Sequence, residues 1–144
     1  MSFLQKLVGD ATAAFTKYKG DTVFLNALAA ACANVTAADG VIEDAEIESA
    51  IAGISNKPEL KAAFTPAAIE SALTEALNNA KTRHGRMTNI RAIQAMAARP
   101  AEQKQDVFLI AADVADNGGI GQDEHKVLDT IAKELGVDKG KLLG

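Results

Sequence analysis

Two stretches of this chain repeat one order of residue types. Asp39-Gly40-Val41-Ile42-Glu43-Asp44-Ala45-Glu46 is matched by Asn117-Gly118-Gly119-Ile120-Gly121-Gln122-Asp123-Glu124. Each stretch follows an apolar helical run and opens another. A turn-forming Asp or Asn, a Gly, an Ile two residues on and a Glu four after that make a specific sequence. It predicts a duplicated helix–loop–helix with an acidic side chain at the same place in each copy. The question it raises is whether the loops hold a cation or only turn a corner.

Composition agrees with helices. Apolar residues make up 48% of the chain but aromatics only 4%, and Ala is abundant. Ala is the best helix former and a poor strand residue. Apolar spacing at three and four residues recurs along the chain, and no segment alternates as a strand does. Val23, Phe24, Ala27, Leu28, Ala31 and Val35 make one stripe, started by Asp21 after the break at Gly20. Phe3 to Tyr18 form an earlier one. Ile47, Ala50, Ile51 and Ile54 follow the first loop, ending near Ser55-Asn56.

Lys57 to Ala63 reads as a short helix with Pro58 in its first turn, and Thr65-Pro66 starts another. His84-Gly85 is expected to interrupt before a helix carrying Ile90, Ile93 and Ala97, and Pro100 to end or restart it. Val107, Phe108, Ala111 and Val114 lead into the second loop. Val127, Leu128, Ile131 and Leu135 leave it, Gly136 is a left-handed stop, and Asp138 caps a last turn. The expected fold is all-α: a compact bundle of seven to eight helices with two pseudo-symmetric helix–loop–helix halves, forming a single domain over residues 1–144.

Several function classes lose support. The net charge of −4 argues against nucleic acid as a partner, because phosphate binding needs a basic surface. No apolar run is long enough to span a bilayer, and Met1 to Lys6 lack the features of a signal peptide, so a cytosolic protein is expected. A single cysteine, Cys32, cannot form an internal disulfide, and its apolar helix face makes it a buried, inert thiol. His84 and His125 lack partners at zinc-ligand spacing. No phosphate loop or nucleophile–base pair is present, so the chain is read as non-enzymatic. The basic band from Lys81 to Arg99 reads as a solvated face.

The loops can be set against the calcium-binding EF-hand, whose side chains at positions 1, 3, 5, 9 and 12 reach the ion while Gly at 6 turns the chain. In the first loop Asp39, Gly40, Glu43 and Glu46 fall on positions 5, 6, 9 and 12, but Val35 and Ala37 occupy 1 and 3. In the second, Asp113, Asn117, Gly118 and Glu124 fall on 1, 5, 6 and 12, with Ala115 and Gly121 at 3 and 9. Each loop is a half-match, and paired EF-hand loops lie far closer in sequence. The plainer reading is that Asp-Gly and Asn-Gly turn the chain, Ile42 and Ile120 bury, and Glu46 and Glu124 sit at the positive start of a helix. It explains less well why Asp39, Glu43, Asp44, Glu46 and Glu48 cluster with no base among them. A divalent cation, calcium or magnesium rather than zinc, would relieve their repulsion.

Over essentially its whole length the chain resembles the tellurite-resistance TerB family. The resemblance runs through Met1-Ser2-Phe3, Lys17-Tyr18-Lys19 and the Cys32 helix into Ala38-Asp39-Gly40-Val41. It continues through Pro58-Glu59-Leu60-Lys61, Ala112-Asp113 to Glu124, and Ile131 to Gly136. The Asp-Gly loop with Glu seven residues after the Asp is its most telling motif. The resemblance implies an all-helical fold with two similar halves and a non-enzymatic role in resistance to tellurite and other stresses. It also implies metal binding, with Asp39, Glu43, Glu46, Asp113, Asn117 and Glu124 as the residues carried across. Proteins of a tellurite-resistance system, an integral membrane partner among them, and peripheral contact with the inner membrane are further implications.

This chain departs from the family in its second loop, where Asn117, Gly119, Gly121 and Gln122 stand at positions that are often acidic. The alternative is a helical protein–protein interaction module that binds no metal.

Overall fold

A computed structural model of the chain describes residues 15–40, 42–116 and 119–143. These residues form eight α-helices and no strand. The helices are α1 (Thr22–Thr36), α2 (Asp44–Ser55), α3 (Pro58–Ala63), α4 (Pro66–Asn79), α5 (Arg83–Gln94), α6 (Ala101–Ala115), α7 (Gln122–Leu135) and α8 (Lys139–Leu143). The expected all-α bundle is what forms. Of the helix expected from Phe3 to Tyr18, the part before Phe15 lies outside the described residues; Thr16–Tyr18 make one 3-10 turn.

Helix α1 is the axis of the bundle. Its first turn is tied by Asp21, whose carboxylate accepts the Phe24 N–H at 3.1 Å. From Phe24 onward only Asn26 and Thr36 escape burial, and α4, α5, α6 and α7 all pack on it. An Ala-rich run makes this possible. Ala27, Ala29, Ala30, Ala31 and Ala33 let backbones approach from several sides, while Phe24 and Leu28 fill the space between them. Each of those larger side chains contributes about 2 kcal/mol by leaving water.

The chain ends of the other helices follow their local chemistry. Thr65 accepts the Ala68 N–H at 3.2 Å and starts α4 ahead of Pro66. Gly136 stops α7 at φ 77°, and its N–H returns to the Ala132 carbonyl at 2.8 Å. Asp138 accepts the Lys141 N–H at 3.1 Å and caps α8.

Two expectations need correction. His84-Gly85 does not interrupt a helix. Both residues lie in the first turn of α5, which Thr82 starts by accepting the Gly85 N–H at 2.9 Å. Glycine is required there by tertiary contact, since a Cβ on Gly85 would run into the Asn79 carbonyl oxygen. At the other end α5 stops at Gln94, so Ala97 lies beyond it. The backbone tightens there, with Met96 N–H on Ile93 and Ala97 N–H on Gln94, both at 3.0 Å.

The two repeated units are α1–loop–α2 and α6–loop–α7. Their first helices, α1 and α6, pack directly on each other, and the residues after each, Asp39 and Gly121 to Glu124, line one cleft beside the helix ends. The halves share one hydrophobic core. Asn34 and Asn89 are the buried polar residues among those described, and they satisfy each other: Asn89 Nδ2 donates to Asn34 Oδ1 at 2.9 Å and to the Ala76 carbonyl at 3.0 Å.

Candidate functional site

Each loop contains a positive-φ glycine, although Gly119 aligns with Val41 of the repeat and not with Gly40. After α1, Gly40 takes φ 132°, and after α6, Gly119 takes φ 104°; both values favour glycine. Each following helix is then started by its Glu. Glu46 Oε1 accepts the Glu43 N–H at 3.2 Å, and Glu124 Oε1 accepts the Gly121 N–H at 2.9 Å. Both carboxylates therefore occupy the same helical position and the same role, as the repeat predicts. One oxygen of each is used this way. The expected burial of Ile42 holds, while Ile120 is only half-buried.

The packing of α1 on α6 crosses the halves. Asp39, from the first loop, lines a cleft of ≈ 420 Å³ with Asp123 and Glu124 from the start of α7. Glu46, from the start of α2, lines a second cleft of ≈ 670 Å³ with Asp113 and Asp116 from the end of α6. Each cleft thus takes acids from both repeats. Glu43 is exposed and lines neither cleft, and Asn117 lies outside the described residues.

The clefts differ in charge. Lys57, just before α3, lines the second one and places Nζ 4.0 Å from Asp113 Oδ2. Burial holds the Asp113 carboxyl above the usual carboxylate range; Lys57 opposes that, and Glu59 and Asp116 reinforce it. Because 64% of the Asp113 side chain is accessible, solvent screens these effects. The first cleft is lined by no basic residue among those described. Asp44, expected within the loop's acid cluster, instead takes a 2.9 Å ion pair from Lys81.

Sequence reading missed two of these groups. Asp123 is visible as an acid in the first turn of α7, but only the fold turns it toward Asp39's cleft. Lys57 carries no local signal, since the acid it meets is far away in the chain. Among the described residues, no three carboxylate, imidazole or thiol groups stand close enough together to hold a metal. Each cleft is lined by three acids, one from one repeat and two from the other, without the three carboxylates converging on a point.

Cys32 lies outside both clefts, fully buried in α1, and burial pushes its thiol up to about 12. A neutral thiol without solvent access is a packing group. No helix among the described residues is long and apolar enough to cross a membrane.

The family model described as tellurite resistance protein TerB matches residues 25–142. Comparison with curated proteins and with solved structures gives no match.

Proposed function

The chain belongs to the tellurite resistance protein TerB family, and from that premise we propose a non-enzymatic role in resistance to tellurite and related stresses. In this reading the protein binds a hydrated divalent cation weakly at the cleft between the repeated loops and docks to membrane-associated partners on the cytoplasmic side. The observation that carries it is the first cleft, which Asp39, Asp123 and Glu124 line together with no base among the described lining residues.

The physics sets both the site and its strength. Like charges in contact in water repel by about 1 kcal/mol per pair, so relieving them supports only weak binding. Magnesium and calcium accept one or two carboxylates and complete their shell with water. Asp39 comes from the loop after α1, and Asp123 and Glu124 from the start of α7. A cation between them fixes the angle between the two halves and alters the surface shown to a partner. The second cleft is the poorer site, because Lys57 already supplies a positive charge beside Asp113.

The test is a titration with calcium, magnesium and zinc while backbone amide resonances are followed. Shifts centred on Asp39, Gly40 and Gly121 to Glu124 at millimolar calcium or magnesium are expected, and Asp39→Asn with Glu124→Gln abolishes them. Unchanged resonances at those positions remove the cation. The second reading, an interaction module that binds no metal, is favoured by the use of Glu46 and Glu124 to tie helix starts. It wins if the double variant still confers tellurite resistance and metal leaves thermal stability unchanged.

A further inference from the structure

A separate groove of ≈ 590 Å³ runs between the end of α1, the start of α5 and one side of α7. Its lining is mainly apolar, with Ala37, Ala38, Ile90, Val127 and Met87 beside the buried amide of Asn34 and the hydroxyl residue Thr130. Met87 is 45% exposed, one of few large apolar side chains left accessible. Three cations, Lys81, Arg83 and Arg86, stand around it. The chain as a whole carries −4, so the groove is opposite in sign to the molecule around it.

The three cations are not equivalent. Lys81 is engaged by Asp44 at 2.9 Å, and Arg86 Nη1 donates to the Ala80 carbonyl at 3.0 Å, bracing the start of α5. Arg83 is exposed and has no hydrogen-bond or ion-pair partner among the described residues. A free guanidinium can take a carboxylate through two parallel hydrogen bonds. The volume falls within the range of pockets that bury one ligand or anchoring side chain.

We propose that this groove binds a segment of a partner protein that lays a bulky apolar side chain between α5 and α7 and sets a carboxylate on Arg83. Mainly apolar lining and unspent cation together define that chemistry, in which one anchor residue supplies most of the binding energy. A lipid surface fits less well. Anionic bilayers are recognised by clusters of about four to eight cations on accessible faces, whereas this site is concave and two of its three cations are already engaged. The inference rests on the docking half of the proposed function and is independent of the cation.

The experiment is selection of a random peptide display library on the full chain, first in chelator and then with calcium. Enriched peptides are expected to pair Asp or Glu with a nearby Leu, Phe or Met. Their affinity is expected to drop about tenfold or more for Arg83→Glu and for Met87→Asp. Both positions are exposed, and Arg83→Ala serves as the charge-neutral control if the melting curve of Arg83→Glu shifts. Enriched peptides without that pairing, or bound equally by the variants, overturn the proposal. So does a library that yields nothing while phosphatidylglycerol vesicles bind the wild type and not Arg83→Glu. None of these outcomes alters the metal titration, so failure here and failure of the cation are told apart.

Discussion

Tyr18 Oη donates a 2.6 Å hydrogen bond to Asp106 Oδ2, tying the turn before α1 to the first half of α6. The Tyr18 ring is buried and stacks on Phe24, centroids 3.6 Å apart. Burial pushes the Asp106 carboxyl above its usual range; the Tyr18 hydroxyl and Lys17 pull it back.

Tyr18→Phe keeps the stack and removes the donor. The expected loss is about 2 kcal/mol at neutral pH, the usual worth of a hydrogen bond to a charged group. A raised carboxyl binds its proton more tightly in the folded state, so its ionisation costs stability as pH rises through the folded pKa. Without Tyr18 that pKa climbs further. The gap between variant and wild type therefore narrows as pH falls below it, which urea unfolding across a pH series measures. A gap independent of pH contradicts the assignment.

Asp21 behaves in the opposite sense. Its hydrogen bonds from Arg99, at 2.8 and 3.2 Å, hold its carboxyl below the usual range. A depressed carboxyl contributes stability above its unfolded pKa and loses it as pH falls through the folded one. Asp21→Asn is expected to flatten the fall in stability below about pH 4, and Asp21→Ala to cost more than Asp21→Asn because the cap on Phe24 goes too.

Two glycines make a matched pair. Gly85→Ala is expected to cost about 3 kcal/mol, since the added methyl meets the Asn79 backbone and neither helix end can yield cheaply. Gly53→Ala, in exposed α2 with open space around it, is expected to gain about 1 kcal/mol from helix propensity. Thermal melts of the two variants check the contrast; equal effects would falsify the close approach of α4 and α5.

Asn89→Leu leaves Asn34 Oδ1 without its donor in the core, while the Ala76 carbonyl keeps the Ala80 N–H at 3.0 Å. A loss of about 2–3 kcal/mol is expected, recovered in part when Asn34 is also made apolar. Denaturant unfolding of the single and double variants reads the coupling.

Cys32 should resist thiol reagents in the folded protein and react at the rate of unfolding. Burial places its thiol near 12, so thiolate is scarce at neutral pH. Labelling kinetics with and without denaturant test this, and fast labelling of native protein would contradict the burial of Cys32.

Much of this molecule was legible in local chemistry. Asp21, Thr65-Pro66, Gly136 and Asp138 mark helix ends because caps and left-handed stops act within a few residues. The reading of Glu46 and Glu124 as helix-start acids rests on the same short range, and both do hold the N–H three residues back. Gly85 was misread because a glycine's local tendency is to break helices. Its actual constraint is the Asn79 backbone, which no local pattern reveals. The basic band is solvated at Lys81, Arg83, His84 and Arg91, as its charge pattern suggests, but pairing within it needed the fold: Arg99 takes Asp21, Arg86 the Ala80 carbonyl and Lys81 Asp44.

What residue order alone determines here is the helical periodicity, the duplicated turn and the family, since these depend on spacing along one chain. Which acids share a cleft was decided by tertiary packing. Helix α1 lies on α6, and Asp39 lines one cleft with Asp123 and Glu124 while Glu46 lines another with Asp113 and Lys57. Electrostatic coupling falls off over a few ångströms of space, not of sequence, and only the fold sets those distances.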